Sequence, residues 1–432
     1  MKHSFCFAIL FFMGFLSGCS NTVPEEEISL VSERPPSAEV IALITKTESS
    51  TPNPTETPEL AATPYISLGA NEAYFVYRLS GKPDGMMLYL TDQKYQFEIL
   101  PDFNVYNFAL NSRGQIAFVA DQNGKRKVFI DTYPFSGKSA QLIFDEEKSE
   151  TWVHAWSPNG QYLAITQQID WKEKLYIWNG YTVFIIYESD ELGRISDLEW
   201  SKDNRLAYTE YYGISSNDKP SEVFIWDGIE IMNVSQNPDG RDRSPAWSRD
   251  GRLAFLSTRN QESDILVWDG KTMKDGEPDP DSYENIAPEL TFFSIPEWTN
   301  TDQLSFSDTY NPNNIYSTIY LWDGYTAINM SRNTKNHSDA QKWADDGYWA
   351  FLTFYSPEEI VVRDDKNQTV FTAKGIYTPA WGENGNLLFC SHKEEGGWIL
   401  NLWDREKQYE IIEADMIYGQ WTNGEAVYCT FG

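Results

Sequence analysis

The sequence predicts an all-β fold, a closed ring of short antiparallel sheets, on three observations. One phrase recurs along the chain, short apolar runs rather than helical stripes separate its copies, and an Asn-Gly or Asp-Gly pair marks four of the units. The phrase is "AWSRDGRLAF" at residues 246–255, with "AWSPNGQYLAI" from Ala155, "EWSKDNRLAY" from Glu199, "EWTNTDQLSF" from Glu297, "KWADDGYWAF" from Lys342 and "AWGENGNLLF" from Ala380. A weaker first copy, "ALNSRGQIAF", starts at Ala109, and a last one, "QWTNGEAVY", at Gln420.

The tryptophans of the phrase are Trp156, Trp200, Trp247, Trp298, Trp343, Trp381 and Trp421, spaced 44, 47, 51, 45, 38 and 40 residues apart. Leu110 holds the same place 46 residues before the first of them. A period in the forties fits either a propeller blade or a pair of helices, so the interior of the unit decides. After each turn comes a β-prone run such as "LAFLS" or "LLFCS", then a second run, "KLYIW", "EVFIW", "DILVW" or "TIYLW". Asn179, Asp227, Asp269 and Asp323 follow these runs, each before a glycine, and such pairs populate the positive-φ positions of a tight hairpin. A further strand leads outward, as in "YTVFIIY" and "YTAINMS". Each unit is thus a meander of about four antiparallel strands, the blade of a β-propeller.

At the amino end, Lys2 and His3 precede an apolar run from Phe5 to Leu16 and then "LSGC", residues 16–19. This is a secretory signal, too short to span a bilayer. Its cut site resembles the lipobox of bacterial lipoproteins, which implies cleavage after residue 18 and lipidation of Cys19. Residues 19–64 are rich in Pro, Thr, Ser and Glu and lack aromatic residues up to Pro64. They are expected to be a disordered tether with ends on the order of 35–40 Å apart. The propeller then occupies 65–432. The formal charge of −30, from 64 acidic and 34 basic residues, argues against nucleic acid or anionic headgroups as general partners.

Residues 233–270, "NVSQNPDGRDRSPAWSRDGRLAFLSTRNQESDILVWDG", resemble the WD40-like (PD40) repeat of the TolB family, best over 246–270. Recognisable copies run from about Phe103 to the carboxyl end. The copy near Tyr355, "SPEEIVVRDDKN", departs most, lacking the tryptophan and the Gly turn. The lipobox resemblance implies an exported bacterial lipoprotein, membrane-anchored and facing the extracytoplasmic side; the TolB resemblance implies binding of a protein, peptide or envelope polymer without catalysis, and a monomer is expected. TolB-type rings usually have six blades. Here seven complete units run from about Pro101 to Asp415, and two fragments remain. Joining "MIYGQWTNGEAVYCTFG" as a first half to "MMLYLTDQKYQFEIL" as a second half makes eight blades, with seven as the alternative; "EAYFVYRLS", Glu72 to Ser80, has no assigned place. Cys390 and Cys429 then hold equivalent positions in consecutive blades. Packed sheets lie about 10 Å apart, so two buried free thiols are expected.

Twelve of the sixteen tryptophans occupy repeat positions: the seven above plus Trp178, Trp226, Trp268, Trp322 and Trp403. They are expected to pack blade against blade. Trp152, Trp171, Trp349 and Trp398 stand outside the repeat. No G-x-S-x-G elbow, Asp box or metal-ligand spacing occurs, so no enzyme, cofactor or metal is expected. The acidic loop from Asp275 to Glu284 reads as a solvated insertion rather than a Ca²⁺ site. The candidate ligand site is the funnel where loops enter the first strands, bringing Trp152, His154, Arg194, Asp197, Arg241, Asp242, Arg243, His337, Asp339, Tyr377 and Tyr418 toward the axis. The alternative is a glycan-active propeller enzyme, glycosidase or lyase, using paired carboxylates in that funnel.

Overall fold

The computed structural model describes residues 74–80, 85–91, 95–145, 150–189, 192–213, 220–259, 262–286, 295–308, 317–331, 337–354, 358–393 and 396–429. The signal, Cys19 and the tether lie outside the described residues. Eight sheets make an eight-bladed β-propeller. Blade 1 runs from Val105–Leu110 to Gln141–Phe144, blade 2 from Glu150–Trp156 to Val183–Glu188, and blade 3 from Arg194–Trp200 to Ile231–Asn233. Blade 4 runs from Arg243–Trp247 to Glu284–Asn285, and blade 5 from Glu297–Trp298 to Ala327–Asn329. Blade 6 runs from His337–Trp343 to Thr369–Lys374, and blade 7 from Ile376–Trp381 to Gln408–Ala414. Each of these seven is a four-stranded antiparallel meander, and first strands touch first strands from blade to blade, lining the axis.

The apolar runs are continuous because both faces of each blade are covered. Alternate residues of one strand serve two interfaces. In blade 4, Leu253 and Phe255 join the core shared with blade 3, while Ala254 and Leu256 join the core shared with blade 5. The repeated tryptophan locks these interfaces. Its indole N–H donates to a carbonyl of the preceding blade: Trp156 to Ala109 at 3.0 Å, Trp200 to Ala155 at 3.2 Å, Trp298 to Ala246 at 2.9 Å, Trp381 to Lys342 at 3.1 Å and Trp421 to Ala380 at 3.1 Å. Trp247 makes no such bond; the Arg205 guanidinium lies 4.3 Å over its ring instead. The second set of tryptophans ends the third strands, and Trp156 meets Trp178 edge-on at 5.6 Å.

The ring closes in an unanticipated way. Its eighth sheet has five strands, two from the carboxyl end and three from the amino end. Met416–Trp421 is the first strand, as expected, but its outward neighbour is Tyr74–Ser80 rather than Ala426–Cys429. Trp421 pairs with Phe75, as Trp247 pairs with Leu253 and Trp381 with Leu387. The "EAYFVYRLS" run, of which Glu72 and Ala73 lie outside the described residues, therefore supplies the second strand of blade 8. Gly85–Leu90 and Tyr95–Ile99 follow as third and fourth. Displaced from that place, Ala426–Cys429 pairs with the other edge of Met416–Trp421 as an extra, innermost strand.

That displacement overturns the expectation of two free thiols. Cys390 lies on the second strand of blade 7, and Cys429 on the inner strand that packs against blade 7. Their Cα atoms are 5.7 Å apart and the two form a disulfide. The two positions are not equivalent, so the distance between equivalent positions does not apply.

Trp421 is wedged tightly at the seam, 1 % exposed. A Cβ on Gly382 would stand 2.8 Å from two atoms of its ring. Gly382→Ala is expected to lower stability by about 2 kcal/mol in urea unfolding, because neither the indole nor the strand beneath it has room to move. An unchanged midpoint would mean that the seam is loosely packed.

Candidate functional site

First strands of six blades carry a β-bulge, including shifts at Val153/Trp156, Ser196/Glu199, Arg243/Ala246 and Asp339/Lys342. The bulged positions Asp197, Ser244, Ala340 and Tyr377 take φ between 53° and 69°, a left-handed conformation that non-glycine residues adopt at a cost. Bulges of this kind bend the strand and re-aim the side chains before it, which are those expected to line the funnel.

The funnel residues do not form one cluster. Asp197 is a brace between blades: its Oδ2 accepts hydrogen bonds from Thr209 and Tyr211 at 3.0 Å and from the Ser244 N–H at 3.2 Å. Asp242 is fully buried, accepts from Asn237 at 3.2 Å and faces Arg259 at 3.8 Å; burial pushes its carboxyl up to about 6. It is a structural group and presents nothing to a ligand, a correction to its place in the funnel list. Arg241 and Arg243 are exposed on blade 4. His154 bonds Thr166 Oγ1 at 2.7 Å, and burial pushes its imidazole down to about 4, so it is neutral. Tyr377 packs edge-on to Trp398, 5.2 Å away. The backbones of His337 and Asp339 pair with Phe354 and Leu352, while their side chains lie outside the described residues.

Three of the eleven, Trp152, Arg194 and Tyr418, meet in a groove that crosses blades 8, 1, 2 and 3 on one face. Its walls come from loops between blades, turns between second and third strands, and adjoining strand ends. At the blade 8 end, a cavity of about 290 Å³ is lined by Arg78, Tyr106, Asn107, Trp152, Tyr418 and Tyr428. Tyr418 stacks on Tyr428 at 4.6 Å, and burial holds the Tyr418 phenol above its usual range. Tyr106 donates to the Asp121 carboxylate, and the Arg126 guanidinium lies 4.3 Å over the Tyr106 ring and 5.7 Å from the Trp152 ring. Trp152 also lines the next cavity, of about 350 Å³, with Glu150, Thr166, Gln168, Trp171, Glu173, Leu192 and Arg194. Beyond it, Asp121, Lys125, Arg126 and Asp170 continue the groove past Trp171.

Tyr106, Arg126, Trp171 and Tyr428 were not anticipated. Three sit on turns or ends outside the repeated phrase, and Tyr428 reaches the groove only through the displaced inner strand. For Trp171 a signal existed, since it is one of four tryptophans off the repeat.

A second unforeseen feature lies nearer the opposite end of the channel. The residue before the repeated tryptophan is polar in four blades, and it reaches to the next blade in three. Glu199 Oε1 accepts the Trp247 N–H at 3.0 Å, Glu297 Oε1 the Trp343 N–H at 3.3 Å, and Gln420 Oε1 the Leu110 N–H at 2.9 Å. Lys342 pairs with Glu297 at 3.0 Å and Glu425 at 3.4 Å. Burial pushes the Glu199 carboxyl up to about 8 and that of Glu297 to about 7, while the surrounding carboxylates raise the Lys342 ammonium.

The acidic insertion forms a small hairpin, Met273–Lys274 with Glu277–Pro278, followed by a 3₁₀ turn at Pro280–Ser282. Lys274 pairs with Asp281 at 3.1 Å, and Asp279 caps the turn. Among the described residues no group of three His, Cys, Asp or Glu is placed to hold a metal ion.

No family model matches the chain. An uncharacterized protein of Methanocaldococcus jannaschii is 27 % identical over 154 residues, which is 35 % of this chain and 76 % of that one. Among solved structures, a prolyl endopeptidase superposes with a TM-score of 0.51 at 11 % identity, over 75 % of this chain and 53 % of that one. This chain thus spans about half the length of that enzyme. A eukaryotic initiation factor superposes with a TM-score of 0.50 at 14 % identity, over 84 % and 96 %. These likenesses are of fold.

Proposed function

We propose that this chain is an exported lipoprotein, anchored to a membrane through Cys19, whose TolB-like propeller binds a protein, peptide or envelope polymer without catalysis. The observation that carries the reading is the groove: connected cavities on one face, aromatic along their length and edged by arginines and carboxylates. Pockets of this kind orient a ligand through a few polar groups while apolar walls bury it. Two of the groove's carboxylates are already engaged by the fold. Asp121 is engaged by Tyr106, and Glu173, though raised by burial, accepts the Ile195 N–H at 2.7 Å. Tyr74, the first described residue, starts its strand at the Trp421 end of the ring, opposite the groove.

The ectodomain beginning at Tyr65, used as bait on solubilised envelope, is expected to retain a ligand in stoichiometric amount. Tyr106→Ala with Arg126→Ala is expected to reduce retention at least about tenfold. Arg241→Ala with Arg243→Ala, outside the groove, is expected to leave it unchanged. Retention that survives the first pair and fails with the second would move the binding face to blade 4.

A further inference from the structure

Four tryptophans stand outside the repeat, and the structure divides them. Trp349 and Trp398 are core, 1 % and 2 % exposed. Trp171 is 68 % exposed, and Trp152 is half-buried across the same cavity. Trp171 and its neighbour Asp170 both take left-handed φ, 68° and 49°, in the turn that holds the indole over the cavity. An exposed indole on a strained turn contributes little to folding. We propose that this cavity, between Trp152 and Trp171 on blade 2, is a subsite for a neutral pyranose ring of an oligosaccharide. The proposal rests on the reading of the groove as a ligand-binding face.

The floor is built by register. Glu150 pairs across to Gln168, and Gln168 to Glu173, so three polar residues form one row; Trp152 and Thr166 form the row beneath. Arg194 closes the far side from blade 3. Thr166 and Glu173 are occupied, by His154 and by the Ile195 N–H. The side chains of Glu150, Gln168 and Arg194 make no hydrogen bond to a described residue. A carboxylate, an amide and a guanidinium are therefore left in a cavity that two indoles also line. A pyranose matches that set, since one ring presents an apolar C–H face for stacking and a rim of hydroxyls that both donate and accept. An aliphatic side chain would fill the same space and leave all three polar heads without partners. Among the lining residues Glu150 and Glu173 outnumber Arg194, which disfavours a polyanion and suits an uncharged ring.

The test titrates the ectodomain with cellotetraose, maltotetraose and the tetramer of N-acetylglucosamine, with polygalacturonate as the charged comparison. Heat and protection of tryptophan fluorescence from iodide are both read. At least one neutral tetramer is expected to bind with Kd of about 1 mM or tighter. Trp171→Ala is expected to abolish the iodide protection and weaken binding about tenfold with the melting temperature unchanged, and Gln168→Ala to weaken it severalfold. No heat from any neutral tetramer, binding indifferent to Trp171→Ala, or preference for polygalacturonate would each overturn the proposal. If the sugars fail while an envelope protein is still lost with the Tyr106 and Arg126 pair, the saccharide assignment falls and the binding face stands. If that protein too is indifferent to the pair, both fall.

Discussion

Cys429→Ser is expected to lower the unfolding free energy of the ectodomain by about 4 kcal/mol. The disulfide joins residues 39 apart in sequence, and closing a loop of that length in the unfolded chain accounts for roughly this stabilisation. Cys390→Ser should give the same loss, and a reductant should bring the wild type to the level of either variant. The bond also ties the last strand to blade 7, and Tyr428, one residue before Cys429, forms a wall of the groove. Ligand retained by the wild type should therefore be weakened in both serine variants under conditions where the ring is still folded. Thiol titration of the unfolded, unreduced ectodomain should find neither Cys390 nor Cys429 free. Two reactive thiols, with no loss of stability in Cys429→Ser, would show that the bond does not form.

The error about those cysteines and the unplaced amino-terminal run have one cause. Both "YFVYRLS" and "AVYC" are short and apolar, and either suits a place beside the Met416–Trp421 strand. Local pattern cannot rank them, because pairing in a closed ring is decided by what the other faces meet. Phe75 wins the position opposite Trp421 by packing edge-on to the indole at 5.1 Å and stacking on Tyr89, also at 5.1 Å. Strand arithmetic was the available clue: three amino-terminal runs need only one strand from the other end. The period, the meander and the count of eight were legible because every blade repeats the same contacts. The groove was legible only where it overlaps the loops entering first strands, at Trp152, Arg194 and Tyr418. Its other walls include turns between second and third strands, such as 123–126 and 170–171, which lie outside the repeated phrase. The axial charges were visible in the repeat itself, as Glu, Glu, Lys and Gln where other blades have Ala before the tryptophan.

Those axial charges give the second large effect, one that changes with pH. Lys342→Ala is expected to cost about 2 kcal/mol at pH 8, because Glu297, half-buried in the channel, and the more exposed Glu425 lose their shared cation. Glu199→Gln acts in the opposite direction. The folded carboxyl of Glu199 titrates at about 8, above an unfolded value of about 4.5, so the folded state keeps a proton that the unfolded chain releases. Stability from this group is therefore full below pH 4.5 and declines as pH rises toward 8; Glu297, at about 7, declines over the lower part of the same window. Glutamine cannot ionise, yet its Oε1 still accepts the Trp247 N–H. The variant should match the wild type at pH 5 and exceed it by about 1–2 kcal/mol at pH 8, a figure reduced for channel water. Removing Lys342 also raises the proton affinity of Glu297, so that variant should lose less at pH 5 than at pH 8. Lys342 itself, raised above its ordinary value, sustains stability throughout this range and gives it up only in strong alkali. Urea unfolding of the three proteins at pH 5 and pH 8 separates these slopes. A Glu199→Gln curve parallel to wild type would mean that the carboxyl titrates near 4.5 in contact with water, and that the axial charges are a solvated lining instead of a coupled cluster.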